Sequence, residues 1–214
     1  GATVTISYTG DPDSPIETLT TDESGQTPAI TLEAPPRELS LSPEITEQPY
    51  SEYNIQVTAE GFETVLVSGS EILAGEYSLQ PIRMNPLNVT EEEEKVVVIP
   101  AHTLFGEYPP KIPEEEIKPM NETGEIVLSR VVIPEYVIVH DGVPEDPSAR
   151  NYWVRYKDYI KNVASSEIYA TWPESTVYAN ILAIMSFTLN RVYTEWYRNK
   201  GYDFTITTST AYDH

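Results

Sequence analysis

Near Tyr156 the hydrophobic period of this chain changes from two residues to about 3.6, and no single regular layer satisfies both. A period of two sends alternate side chains to opposite faces of a strand, whereas 3.6 gathers them on one stripe of a helix. Before that point the apolar residues come in short runs. Ala2-Thr3-Val4-Thr5-Ile6-Ser7-Tyr8 alternates and is ended by Thr9-Gly10-Asp11-Pro12. Residues 17–21, a turn at Asp22-Glu23-Ser24-Gly25, and residues 29–32, 53–59, 63–67 and 76–82 continue the pattern. Five or six short strands at regular spacing predict an antiparallel sandwich over residues 1–85. After Tyr156 the residues Tyr159, Ile160, Val163 and Ala164 follow at i+3, i+4, i+7 and i+8, the stripe of an amphipathic helix. The expectation is therefore an α+β chain of two units.

Charge divides along the same line. The formal net charge is −21, and the first hundred residues hold eighteen acidic side chains against three basic ones. Residues 151–214 hold six of each. A chain this acidic has no electrostatic footprint for nucleic acid or anionic lipid. No run of about 18 apolar residues is present, so no membrane span is expected, and no secretory leader is visible. Cysteine is absent, which excludes disulfides, thiolate metal sites and Cys nucleophiles. Asp11, Asp13 and Asp22 lack calcium-loop spacing, and His102, His140 and His214 form no metal-spaced cluster, so neither metal nor other cofactor is expected.

Between the two patterns, residues 86–150 contain nine of the 18 prolines and the acidic runs Glu91-Glu92-Glu93-Glu94 and Glu114-Glu115-Glu116. Apolar bursts interrupt them: Val96-Val97-Val98-Ile99, Ile126-Val127-Leu128, Val131-Val132-Ile133 and Tyr136-Val137-Ile138-Val139-His140. This stretch reads as a Pro- and Glu-rich connector whose bursts form short extended segments packed onto a domain, since a free linker would not carry so many Val and Ile. Asn88-Val89-Thr90 and Asn121-Glu122-Thr123 fit the glycosylation sequon, a pattern that recurs by chance.

In the last stretch Glu167 falls four residues after Val163, on the apolar stripe if the helix continues. Desolvation there would raise its pKa, as a general acid near neutrality requires. The competing reading is a Glu that pairs with an Arg or caps the next helix. Thr171-Trp172-Pro173-Glu174 fits a capping box for a second helix. Val177, Ile181, Ile184, Met185, Leu189, Val192 and Trp196 keep one face of it apolar, and Gly201 is a natural stop after Arg198 and Lys200. Residues 172–200 would form one central helix about 43 Å long.

Two resemblances follow. Gly1-Ala2-Thr3-Val4-Thr5, Thr21-Asp22-Glu23-Ser24-Gly25 and Tyr53-Asn54-Ile55-Gln56-Val57-Thr58-Ala59-Glu60-Gly61-Phe62 resemble the carboxypeptidase regulatory-like domain, whose fold is a transthyretin-like sandwich. In that family an earlier strand precedes the Gly-Ala-x-Val segment. Its absence here implies an uncovered edge, and the module would serve as spacer, binder or pedestal.

Residues 156–168 (Tyr-Lys-Asp-Tyr-Ile-Lys-Asn-Val-Ala-Ser-Ser-Glu-Ile), Thr171-Trp172-Pro173-Glu174 and Ala179-Asn180-Ile181-Leu182-Ala183 resemble the stage II sporulation protein D and amidase-enhancer family. The resemblance covers residues 151–214 and implies the opening, helical part of a peptidoglycan lytic transglycosylase. The Glu of its Ser-Glu motif maps onto Glu167 as catalytic residue. Tyr169 and Trp172 would stack on sugar rings or serve as core, and Glu174 would cap. Two departures stand out: Tyr178-Ala179-Asn180 replaces a Lys-Ala-Gln start, and Met185-Ser186-Phe187-Thr188 replaces Ala-Arg-Thr-Tyr. The family domain also runs past the last residue here, so an incomplete groove and little cleavage by this chain alone are expected. The implied setting is the envelope or spore of a bacterium, with peptidoglycan strands as partner; the alternative is a non-catalytic, adhesion-like glycan- or protein-binding role.

Overall fold

The computed structural model describes residues 1–42, 44–87, 94–112 and 130–213. Glu91-Glu92-Glu93, Glu114-Glu115-Glu116, both sequons and the burst Ile126-Val127-Leu128 lie outside the described residues. The chain divides into two compact units, Gly1–Phe105 and Gly106–His214. It is mixed α and β: among the described residues there are two sheets and two α-helices. No described helix is long and apolar enough to cross a membrane.

The first unit is built on one sheet of β1 (Thr3–Tyr8), β2 (Asp11–Thr20), β3 (Ser51–Thr58), β4 (Thr64–Ile72) and β5 (Glu94–Val98), in the order β2-β1-β3-β4-β5. The first four strands pair antiparallel and β5 runs parallel to β4. Thr9-Gly10 is the two-residue turn between β1 and β2. The alternation read in β1 sets the core: Val4 pairs with Val57 and Ile6 with Ile55, so apolar side chains meet across the strands. Val4, Ile6, Tyr53 and Val57 are buried together. Ile30, Leu32, Ile82 and Met84 pack onto this cluster from segments outside the sheet.

Residues 29–32 and 76–82, expected as strands, have no ladder partners. Pro28, Pro35 and Pro81 remove backbone donors at their ends, so these segments cover the sheet by side-chain packing instead of extending it. β2 is an exposed edge with an irregular register, and Pro12, Pro15 and its acidic side chains blunt it against further pairing. Asp22 accepts bonds from the Ser24 amide and hydroxyl and the Gln26 amide, which hold its carboxyl below the ordinary range. It closes a turn at Gly25. Gly69 (φ +86°) sits at the irregularity in the β3–β4 register, and a Cβ there would come within 2.7 Å of the Ile99 carbonyl oxygen. Only glycine fits that approach.

The stretch expected as a connector contributes a strand to each sheet. β5 is the first, although Val96, Val97 and Val98 stay exposed and only the backbone is paired. Val131, Val132 and Ile133 are exposed without regular structure. The other strand is β6 (Tyr136–His140), the centre of the second unit's sheet, between β7 (Asn151–Arg155), antiparallel to it, and β8 (Ile206–Thr207), parallel to it. A central strand covered on both faces needs a continuous apolar run, and Val137-Ile138-Val139 supplies it. Val137 and Val139 pack with Ile206 on Tyr156, Tyr159, Ile160 and Val163. Ile138 packs on Trp196, Tyr197 and Phe204.

Helix α1 (Tyr156–Glu167) follows β7 directly and buries Tyr156, Tyr159, Ile160 and Val163, the predicted stripe. Helix α2 (Glu174–Tyr193) is shorter than the expected 172–200, about 30 Å long at ~1.5 Å per residue. Pro173, not Thr171, is its N-cap, and it supplies no side-chain bond to the free amides. The helix stops because Glu195 takes a left-handed conformation (φ +48°). The Trp196 amide then bonds to the Arg191 carbonyl at 3.1 Å and the Glu195 amide to that of Val192 at 3.2 Å, the two bonds of a Schellman turn. Gly201 (φ +87°) closes a second such turn, after the short 3₁₀ helix Arg198–Lys200.

Candidate functional site

Glu167 is the last residue of α1 and is half-buried. The helix ends there because Ile168 turns extended, with its amide still bonded to the Ala164 carbonyl. Ser165 and Ser166 return their hydroxyls to the Asn162 carbonyl, which closes the last turn. A tight turn follows, with the Trp172 amide on the Tyr169 carbonyl at 3.1 Å. Its two aromatic rings meet edge to face, 6.0 Å between centroids and 89° between planes. Tyr169 is buried, Trp172 half-buried and Thr171 fully buried. The three residues singled out in the sequence thus lie within one helix end and its turn. Glu174 stands exposed at the start of α2 and accepts a bond from the Tyr178 hydroxyl.

Glu167 also faces a polar interior that sequence reasoning missed. Arg191 and Asp213 form an ion pair at 2.9 Å with side chains 1% and 0% exposed. The second Asp213 oxygen accepts from the Tyr197 hydroxyl at 2.6 Å, the Thr207 hydroxyl at 2.7 Å and the Thr207 amide at 2.9 Å. The carboxylate thus accepts four hydrogen bonds, one of them from its ion-pair partner, the kind of compensation under which a buried charge is tolerated. Burial, reinforced by the Asp213 and Glu167 carboxylates, pushes the Tyr159 phenol well above its ordinary range. Burial lowers the Lys111 ammonium, an effect that Glu167 and Asp213 oppose. The Ile112 amide bonds to the Ala211 carbonyl at 3.0 Å, which pins this segment to the C-terminal stretch. Arg191 was legible as a cation one step from Val192 on an otherwise apolar helix. Such a residue needs a buried acid, but its acid lies 22 positions away.

A cavity of about 170 Å³ lies elsewhere in this unit, lined by Tyr136, Glu195, Trp196, Tyr197, Arg198 and Phe204 among others. None of Glu167, Tyr169 and Trp172 lines it. His140 is fixed between Asn151 Oδ1 at 2.7 Å and the Val143 carbonyl at 3.1 Å and stacks on Phe204. Among the described residues no three His, Asp or Glu side chains are grouped to hold a metal ion. Compared with known proteins, the chain matches no family model, no curated protein and no solved structure.

Proposed function

We propose that the second unit acts on bacterial cell-wall glycan as a lytic transglycosylase centred on Glu167, with the first unit as a transthyretin-like accessory module and the cell envelope or spore as its setting. One observation carries this reading: a half-buried carboxyl at a helix end adjoins an aromatic pair, Tyr169 and Trp172, on the next turn. Such a group can protonate a glycosidic oxygen while the half-buried Trp172, backed by Tyr169, holds the sugar. Glu167 gives its proton to the oxygen between N-acetylmuramic acid and N-acetylglucosamine, and that C–O bond breaks. The resulting carboxylate takes the proton of the sugar's C6 hydroxyl, whose oxygen bonds to C1 and closes a 1,6-anhydro ring. No water enters, so no second carboxylate about 5–10 Å away is needed, in contrast to hydrolytic glycosidases.

The test is mass spectrometry of peptide-free glycan strands incubated with the protein and with Glu167→Gln. The expected outcome is a small yield of 1,6-anhydro termini from the parent and none from the variant. Release at the parent rate by the variant assigns Glu167 a structural role. If the parent releases none, a second reading takes over: a non-catalytic, adhesion-like glycan-binding protein. The observation favouring that reading is that a cavity of this unit lies among residues other than Glu167 and its turn.

A further inference from the structure

The β6–β7 face of the second unit leaves large aromatic surface in water. Trp153 is 71% exposed, Tyr136 is 38% exposed, and their rings meet edge to face with centroids 6.5 Å apart. Trp153 lies opposite Ile138 and Arg155 opposite Tyr136, so all four occupy the side of the sheet on which Ile138 meets Trp196, Tyr197 and Phe204. The Arg155 guanidinium lies over the Tyr136 ring at 5.9 Å. Burying a tryptophan stabilises a fold strongly, so a ring left this open on a short sheet contributes little to folding. Tyr136 continues the surface inward, since it also lines the cavity.

Two properties of that cavity point to a ligand. Trp196, on its wall, is 8% exposed, and its indole Nε1 has no hydrogen-bond partner among the described residues. An unsatisfied buried donor costs about 1–3 kcal/mol. Finally, the lining cations are already compensated: Arg191 by Asp213 at 2.9 Å, Arg198 by Glu195 at 3.5 Å. Lys200 is engaged by the Trp196 ring, its Nζ 4.2 Å from the centroid. A phosphate or carboxylate ligand would find no uncompensated guanidinium on this wall, and a cationic ligand would meet the two guanidinium groups of Arg191 and Arg198. What remains is a neutral group with an apolar face and many hydroxyls. A volume of about 170 Å³ suits one six-membered ring, well below the roughly 300–1,000 Å³ of sites that enclose larger ligands.

We propose that Trp153, Tyr136 and the cavity wall of Glu195, Trp196 and Arg198 form a saccharide-binding site that takes a neutral pyranose unit of a glycan. The C–H face of the ring stacks on Trp153 with Tyr136 at its edge, and its hydroxyls meet the planar carboxylate and guanidinium of the Glu195–Arg198 pair. The site shares only its ligand class with the Glu167 reading and holds sugar without cleaving it.

The test is titration of the intact chain with chitotetraose, followed by calorimetry and by tryptophan fluorescence, in parallel with Trp153→Ala, Arg198→Ala and Glu167→Gln. Trp153 and Arg198 are open to solvent, so their replacement leaves the fold intact, which a thermal melt checks. The expected result is saturable binding by the parent and by Glu167→Gln, weakened about tenfold or more in the other two. Equal binding by Trp153→Ala and Arg198→Ala overturns the proposal, as does no binding by the parent, or binding of sulfated oligosaccharides alone. Binding lost in Glu167→Gln but kept in Trp153→Ala places the sugar at the α1 turn and equally refutes this site. Binding that depends on Trp153, without 1,6-anhydro products from glycan strands, refutes cleavage while upholding the site.

Discussion

In the first unit the buried centre of β1 and β3 is Val4, Ile6, Tyr53 and Val57, an apolar cluster flanked by backbone ladders. In the second, an apolar layer around Val137 and Ile160 coexists with a buried ion pair, Arg191–Asp213, and its hydroxyl partners. The difference lies in tolerance of error. An apolar cluster loses energy gradually as methylenes are removed, whereas a buried charge network fails when one partner goes. The second unit therefore has the interior that demands one geometry, and it also holds the candidate sites.

The comparison breaks most readily at Asp213. Asp213→Ala leaves the Arg191 guanidinium buried without its carboxylate and should cost about 3–5 kcal/mol. All three tryptophans, Trp153, Trp172 and Trp196, belong to the second unit, so fluorescence reports its unfolding alone. The expected outcome is a large downward shift of the fluorescence transition with β-sheet circular dichroism of the first unit retained. A single transition common to both probes would show that the two units unfold together and the contrast has no thermodynamic meaning.

The reciprocal change is Ile6→Ala, which should destabilise the first unit by about 2–4 kcal/mol through lost burial and a residual cavity. Its transition should move and the fluorescence transition should stay. Equal movement of both would again count against independence.

How much of this was legible beforehand follows the range of the interactions. The α1 stripe, the β1 alternation and the turn at Gly25 are local patterns, and each appears where the residues place it. The end of α2 was misread. Gly201 looked like the stop, but tertiary packing of Trp196 and Tyr197 holds Glu195 left-handed six residues earlier. β6 looked like a burst in a connector, because its partners lie 11 or more residues away. Glu167, Tyr169 and Trp172 were visible as a short motif. The Asp213 network and the cavity wall join residues far apart in sequence, and no local spacing announces them.

A smaller effect concerns pH in the first unit, where polar strain sits at the periphery. Glu71 lies opposite Glu52 across β3 and β4. Burial and the Glu52 charge push the Glu71 carboxyl up to about 7 from 4.5, although bonds from the Tyr50 hydroxyl and the His102 backbone favour its charged form. His102 in turn gives its amide to the Tyr50 oxygen at 3.1 Å. Between those two values the folded state binds more protons than the unfolded one, so stability rises as pH falls from about 7 toward 4.5. Glu71→Gln should flatten that dependence and stabilise the first unit near pH 8 by on the order of 1 kcal/mol, discounted for partial exposure. Melting curves at about pH 5 and pH 8 decide it: a parent that is more stable at the higher pH contradicts this account.

The smallest effect is expected at Glu195, and it ties stability to function in the second unit. Glycine adopts the left-handed region without the Cβ clash that Glu195 bears. Glu195→Gly should therefore relieve about 1–2 kcal/mol of backbone strain at the end of α2. It also removes the ion pair with Arg198, which at 3.5 Å and with a half-exposed guanidinium contributes at most about 1 kcal/mol. Glycine also frees the unfolded chain, so the net expectation is a gain of up to about 1 kcal/mol, measured on the fluorescence transition that Asp213→Ala lowers. In the same variant chitotetraose binding should weaken, because the carboxylate that meets the sugar hydroxyls is gone. A variant that is both more stable and unimpaired in binding would mean that the strain at Glu195 serves neither ligand nor fold. One that is less stable would show the Glu195 side chain to be a structural tie between α2 and the 3₁₀ turn that follows.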